Sequence, residues 1–172
     1  MTTPGVPTAV EADGAVRAVY VAALANPLEP TVAEVTAGSA LDLSCYLTPT
    51  GYNATTEEEA KDNSRFCSRE RFESPGRENN GLELTYVYDP QNRIPAENKA
   101  YTTLKRLTKG FIVVRWGVDC EEPFTEGDVV DVQPITCGSQ RKLSPEANSD
   151  LKVSQKMSIS GPVRRDVELV AA

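Results

Sequence analysis

Histidine is absent from this chain of 172 residues. That removes every Ser-His-Asp or Cys-His nucleophilic scheme, every mixed Cys/His zinc site and any haem held by His. Basic charge is in short supply as well: 18 Lys and Arg face 25 Asp and Glu, a net charge of −7. A protein that wraps nucleic acid concentrates Lys and Arg against phosphates, so this balance argues against that mode. Cysteine is limited to Cys45, Cys67, Cys120 and Cys137, widely spaced and without a C-x-x-C pair. Such spacing suits neither a four-thiolate metal site nor, in a reducing compartment, a disulfide framework; free and mostly buried thiols are expected. Nothing approaches the ~18 consecutive apolar residues of a membrane-spanning helix. The start, MTTPGVPTAVEADG, lacks the basic stretch and apolar run of a secretory signal peptide, so a soluble product made in a cytoplasm is expected. Phosphate-cradling and nucleophile-elbow motifs are missing too: no G-x-G-x-x-G, no G-x-x-x-x-G-K-[ST], no G-x-S-x-G and no EF-hand loop.

What is present is the period of two that marks strands. Leu151, Val153, Met157 and Ile159 share one face of 149–160, with Lys152, Ser154, Lys156, Ser158 and Ser160 on the other. After Gly161-Pro162, Val163, Val167 and Leu169 alternate with Arg164, Asp166 and Glu168, which predicts a C-terminal hairpin. Alternation also predicts strands at 41–48 and 82–88, the latter ending at Asp89-Pro90. Residues 111–118 (FIVVRWGV) are apolar on both faces apart from Arg115 and Gly117, the mark of a central strand covered on both sides. Residues 128–136 read as a strand in which Pro134 signals an edge or a bulge, and 15–24 are compatible with a first strand of small residues, although an Ala-rich stretch also suits a helix. Trp116 and the tyrosines are expected in the core, because no basic groove accompanies them as a stacking platform would require.

One segment has a helical period. Ala100, Tyr101, Leu104 and Leu107 form a stripe within 95–109, with Pro95 and Glu97 suited to the first turn and Lys105, Arg106, Lys109 and Gly110 to the last. The sum is a mainly β fold, a β-sandwich or barrel-like domain over 15–172 with one flanking α-helix at about 95–109. Residues 1–14 lack periodicity and read as a flexible N-terminal arm. Residues 49–80, dense in charge and turn formers, read as a long charged loop or excursion in which 65–72 is the part that could pair as a strand; the segment is either solvated or covered by another subunit.

Chemistry is hard to place on these residues. Glu57-Glu58-Glu59 and Glu121-Glu122 are the acidic candidates, but paired-carboxylate catalysis needs the two across a cleft with one pKa raised by burial. Adjacent acids in polar segments stay ionised, so no catalytic, cofactor-binding or metal residue is assigned, and the chain is not expected to be an enzyme. Asn53-Ala54-Thr55 matches the glycosylation sequon, a pattern that chance often produces. Arg141-Lys142 and Arg164-Arg165 suit an anion or an acidic neighbour, or simply an outer sheet face.

The stretches LELTYVYDPQN, ENKAYTTLKRLTKGFIVVRWGVD and GDVVDVQPITCGSQRKLSPEANSDLKVSQKMSISGPVRRDVELVAA, most specifically the run 135–156, resemble the major tail tube proteins of long, non-contractile tailed bacteriophages. The resemblance covers roughly 41–172. It implies a β-sandwich flanked by a helix, assembled as rings, usually of six, stacked into a hollow tube that conducts the genome. It also implies a virion location after assembly in the host cytoplasm. The implied partners are further copies of the chain and the tape-measure, tail-terminator and tail-tip proteins. Genomic DNA would pass through the lumen without specific binding, and no membrane or cofactor is involved.

At −7 per chain, six copies would carry about −42, a wall from which DNA is repelled. The basic residues Arg141, Lys142, Lys152, Lys156, Arg164 and Arg165 run against that picture, and they are expected to pair with acids across subunit interfaces or to point outward. Segment 49–80 and the arm are expected to clasp a neighbouring ring. Alternatives are the inner tube of a contractile tail or a secretion needle, or a virion-associated β-sandwich module that binds carbohydrate. That last reading calls for a plane of exposed aromatics, and aromatic residues make up 6% of the chain.

Overall fold

A computed structural model describes residues 5–171. Strand accounts for 46% of the chain and helix for 5%, so the mainly β expectation holds. The elements are β1 (Val16–Val21), α1 (Val32–Val35), β2 (Leu41–Asp42), β3 (Leu47–Asp62), β4 (Glu73–Val87), α2 (Lys99–Thr103), β5 (Lys109–Trp116), β6 (Val129–Lys142), β7 (Lys152–Ile159) and β8 (Arg164–Glu168). They fall into two compact units. The first comprises 1–46, 109–135 and 161–172, and the second 47–108 and 136–160, so that β6 contributes its first half to one and its second half to the other.

In the first unit the hydrogen-bonded strand order is β2-β1-β5-β6, with β8 also paired to β6. β1 runs antiparallel to β5 along its whole length, Val16 opposite Trp116 and Val21 opposite Phe111. Both are rich in β-branched residues, and Ile112, Val113 and Val114 are completely buried, which is the two-sided burial that their unbroken apolar run predicts. Val19, Val21, Leu24, Val35, Val113, Phe124, Val130, Val132 and Leu169 form one apolar cluster. Each fully buried aliphatic of this kind is worth about 1.5–3 kcal/mol over its exposed state. Helix α1 is a single turn held by a reciprocal capping box: the Thr31 side chain accepts from the Glu34 backbone N–H, and the Glu34 carboxylate accepts from Thr31. The backbone N–H of Ala25 adds a further bond to that carboxylate, and together these hold the Glu34 carboxyl below its ordinary pKa.

In the second unit the order is β6-β7-β4-β3. β4 joins β7 from Leu82 opposite Met157 to Val87 opposite Lys152, and here Leu82, Leu84, Tyr86, Val153 and Met157 are buried at alternating positions.

Several expectations need correction. The helix expected over 95–109 is one short turn, Lys99–Thr103. Beyond it the backbone is taken by β6: the Leu107 N–H donates to the Cys137 carbonyl and the Cys137 N–H to that of Thr108, and Leu107 adopts a φ of +70°. Tertiary pairing has overridden a weak local preference. The strand expected over 41–48 breaks after Asp42 into a turn, with the Asp42 side chain accepting from the Ser44 N–H, and pairing resumes at Leu47 in a different strand. Gly161-Pro162 does not close a hairpin between β7 and β8. β8 pairs with β6 instead, Val129 opposite Glu168 and Val132 opposite Arg164, with a bulge after Val130. Gly161 rests against Pro134, where a side chain would crowd the proline ring, and the irregularity that β6 shows against β8 falls between Val130 and Val132. Segment 49–80 is mostly a strand pair rather than a loop, and 65–72, the part expected to pair, is the connection at its tip. Of the expected arm, 5–12 have no regular secondary structure and are exposed, while residues 1–4 lie outside the described residues. The cysteines are free, as expected, but only Cys137 is buried; Cys45 and Cys67 are exposed.

Candidate assembly surfaces

The second unit carries the most conspicuous surface. β3 and β4 stay paired beyond their contact with β7, from Thr56 opposite Asn80 out to Asp62 opposite Glu73. Over this outer stretch the side chains are almost all in water: 53–62 are exposed throughout, and on the returning strand only Ser74 and Asn80 are partly covered. The stem of the ribbon is acidic. Residues 55–62 and 73–80 hold Glu57, Glu58, Glu59, Asp62, Glu73 and Glu78 against Lys61 and Arg77, a net charge of −4. Glu57, Glu58 and Glu59 enter no ion pair among the described residues.

The tip is different in kind. Residues 63–72 hold Arg65, Arg69 and Arg71 against Glu70, a net charge of +2. Phe66 stands fully exposed and Phe72 more than half exposed. The loop that presents them is internally bonded. Ser64 N–H donates to the Asp62 carboxylate at 2.7 Å, Phe72 N–H to Ser64 Oγ at 3.1 Å, Arg65 N–H to Ser68 Oγ at 2.9 Å and Asn63 N–H to the Phe72 carbonyl at 2.8 Å. Ser64, through its side chain and its N–H, holds the Asp62 carboxyl below its ordinary pKa. Arg71 reaches Glu73 at 2.8 Å.

The stem also borders an open polar recess of about 550 Å³, whose lining includes Asn53, Thr55, Asn80, Glu83, Lys156 and Ser158. Nearby, two C-terminal bases, Lys152 and Arg141, find acids within their own chain. Lys152 Nζ lies 3.2 Å from Glu146, and Arg141 lies 3.7 Å from Glu83, which also accepts a short hydrogen bond from Ser154. Lys142 sits over the Tyr88 ring.

Beneath this surface the unit has a polar core. The Tyr86 hydroxyl donates to Gln155 Oε1 at 2.8 Å and accepts from Gln140 Nε2 at 2.9 Å, and Gln155 Nε2 donates to the carbonyls of Leu104 and Gly138, both at 2.8 Å. Burial pushes the Tyr86 hydroxyl up to about 12 and the Cys137 thiol up to about 11, so both stay neutral at physiological pH.

The first unit holds a buried cation. Arg115, with a side chain 1% exposed, donates to the Asp128 carboxylate at 2.8 Å and to the carbonyls of Pro123, Asp119 and Glu122 at 2.9, 2.9 and 2.7 Å. It also stacks over the Phe124 ring. One arginine thereby organises the whole 119–128 connection, which has no regular structure of its own. Trp116, expected in the core, is half exposed, and its indole N–H donates to Asp131 at 2.8 Å.

Glu57-Glu58-Glu59 lie on the exposed ribbon of the second unit, and Glu121-Glu122 lie in the 119–128 connection of the first. The Asn53-Ala54-Thr55 sequon is on exposed β3. No cluster of three potential metal ligands exists among the described residues, and no described helix is long and apolar enough to cross a membrane. The aromatic and arginine tip was missed from sequence. Its one signal was that three Arg and two Phe fall within 63–72, in a segment otherwise poor in apolar residues.

A search of curated proteins finds no match. Among solved structures, the chain is similar to one in the cryo-EM structure of the anti-feeding prophage (AFP) baseplate, 6-fold symmetrised, at 9% identity and a TM-score of 0.49, covering 95% of this chain and 96% of that one. A family model described as phage tail tube protein matches residues 3–172, nearly the whole length. The chain therefore belongs to the phage tail tube protein family, which makes it a structural component of the virion tail.

Proposed function

We propose that this chain is the tube-forming subunit of a long, non-contractile tail. It self-assembles into rings of six that stack into a hollow conduit, and the genome passes through without specific binding. The observation that carries the reading is the outer β3–β4 ribbon, which is ordered although it buries almost nothing in its own chain. Fixing a backbone costs about 1–2 kcal/mol per residue, and a two-stranded ribbon without an apolar face is marginal in water. Exposed ion pairs such as Arg71–Glu73 return at most about 1 kcal/mol each. A ribbon of this length is therefore suited to be covered by a neighbouring copy, clasping the next ring as the exposed 5–12 segment also would. The outer edge of β3 is unpaired as well, and closing a ring edge to edge would remove it.

The mechanism is geometric and electrostatic, with no bond made or broken, and the chain is not an enzyme. A net charge of −7 repeated around a ring keeps DNA off the wall. Pairing of Arg141 and Lys152 with their own acids lowers the adhesive charge that the C-terminal third would otherwise present. The tape-measure, terminator and tip proteins would fix tube length and ends. Negative-stain electron microscopy of the purified full chain, over rising concentration, tests the reading. Rings or tubes are expected, and a chain that stays monomeric at every concentration and with its tail partners added would overturn it.

A further inference from the structure

We propose that the tip of the β3–β4 hairpin docks on the acidic stem of the same hairpin in a second copy, head to tail. The inference rests on the self-assembly proposed above and names the surface and the partner that drive it. The two ends of the ribbon differ in sign: −4 on the stem and +2 on the tip. Tip against tip or stem against stem would place like charges together, so the ribbon favours tip on stem, and a contact of that kind made head to tail repeats along a stack. Copies of one chain also supply tips and stems in equal number.

The chemistry of the tip is that of an interface anchor. Arginine and aromatic side chains dominate the residues that carry binding energy, and Phe66 and Arg69 project from a loop already fixed by its own hydrogen bonds. Arg69 enters no ion pair among the described residues, and neither do Glu57, Glu58 and Glu59, so donors and acceptors are available to one another. Arginine meets carboxylates in a paired, directional geometry, which would set the rotation of one copy on the next.

The test is a charge exchange in the full-length chain, read as the critical concentration for assembly by sedimentation at fixed salt. Arg65→Glu with Arg69→Glu is expected to raise it by about tenfold or more, and Glu57→Lys with Glu58→Lys and Glu59→Lys likewise. Combining the two sets restores complementarity and is expected to return it to within about threefold of wild type. Phe66→Ala, which leaves the charges untouched, should also raise it, and melting curves check that each variant is folded. Wild-type assembly with a tip variant that assembles equally well, or a combined variant no better than either parent, would overturn this inference alone. A wild-type chain that never assembles would overturn the self-assembly reading beneath it.

Discussion

Arg115 and Asp128 form a buried ion pair, Nη1 to Oδ2 at 2.8 Å, with the arginine side chain 1% exposed and the aspartate 15%. The pair joins a central strand to the 119–128 connection, and Thr125 completes it by donating its N–H at 3.0 Å and its hydroxyl at 3.0 Å to the same carboxylate. Removing one member of such a pair leaves the other charge buried without compensation. Asp128→Ala is therefore expected to destabilise the chain by about 3 kcal/mol, and Arg115→Met by less, because Asp128 lies nearer to water. Denaturant unfolding of the two variants against wild type checks both the size and the order.

The same pair sets a pH dependence. Burial alone would raise the Asp128 carboxyl, but the Thr125 N–H, the Arg115 guanidinium and the Thr125 hydroxyl together hold it below its ordinary value. The folded protein thus keeps the carboxylate where the unfolded chain takes up a proton. Its contribution is fully present above the unfolded pKa of ~3.9 and is lost as pH falls from there through the folded value. The stability difference between wild type and Asp128→Asn should be flat above about pH 5 and shrink toward zero at lower pH. A difference that grows on acidification would mean that the carboxyl is raised.

Tyr86 is the hub of the second unit's polar core, bonded to both Gln155 and Gln140. Tyr86→Phe keeps the ring and removes the hydroxyl, leaving Gln155 Oε1 buried without its donor. A loss of about 1–3 kcal/mol is expected, measured by the denaturation midpoint at constant slope. No change in midpoint would indicate that the two glutamines re-pair with each other.

Much of this arrangement was legible in the sequence, and the failures share a cause. The run 111–116 announced a central strand because Ile112, Val113 and Val114 are apolar on consecutive positions, and 152–159 announced one buried face through Val153 and Met157. The capping box of α1 was available as Thr31-x-x-Glu34, yet a single turn has no period to detect. The outer ribbon was misread because Thr55–Asp62 and Glu73–Asn80 are held by backbone pairing, which leaves no mark on side-chain alternation when neither face is buried. Arg115 stood out as the exception in an apolar run, but its partners Asp119, Glu122, Pro123 and Asp128 come from a connection whose path no periodicity specifies. Leu107 fitted a helical stripe until β6 claimed its backbone.

The central claim, that identical copies build a conduit through the β3–β4 ribbon, is tested most directly by a cryo-EM map of the particles formed by the full-length chain. The account predicts a hollow tube in which residues 55–80 are covered by neighbouring copies and the channel wall is mainly acidic or neutral. A tube whose ribbons stand free in solvent, or whose channel is lined by Arg141, Lys142, Lys152, Lys156, Arg164 and Arg165, would contradict it.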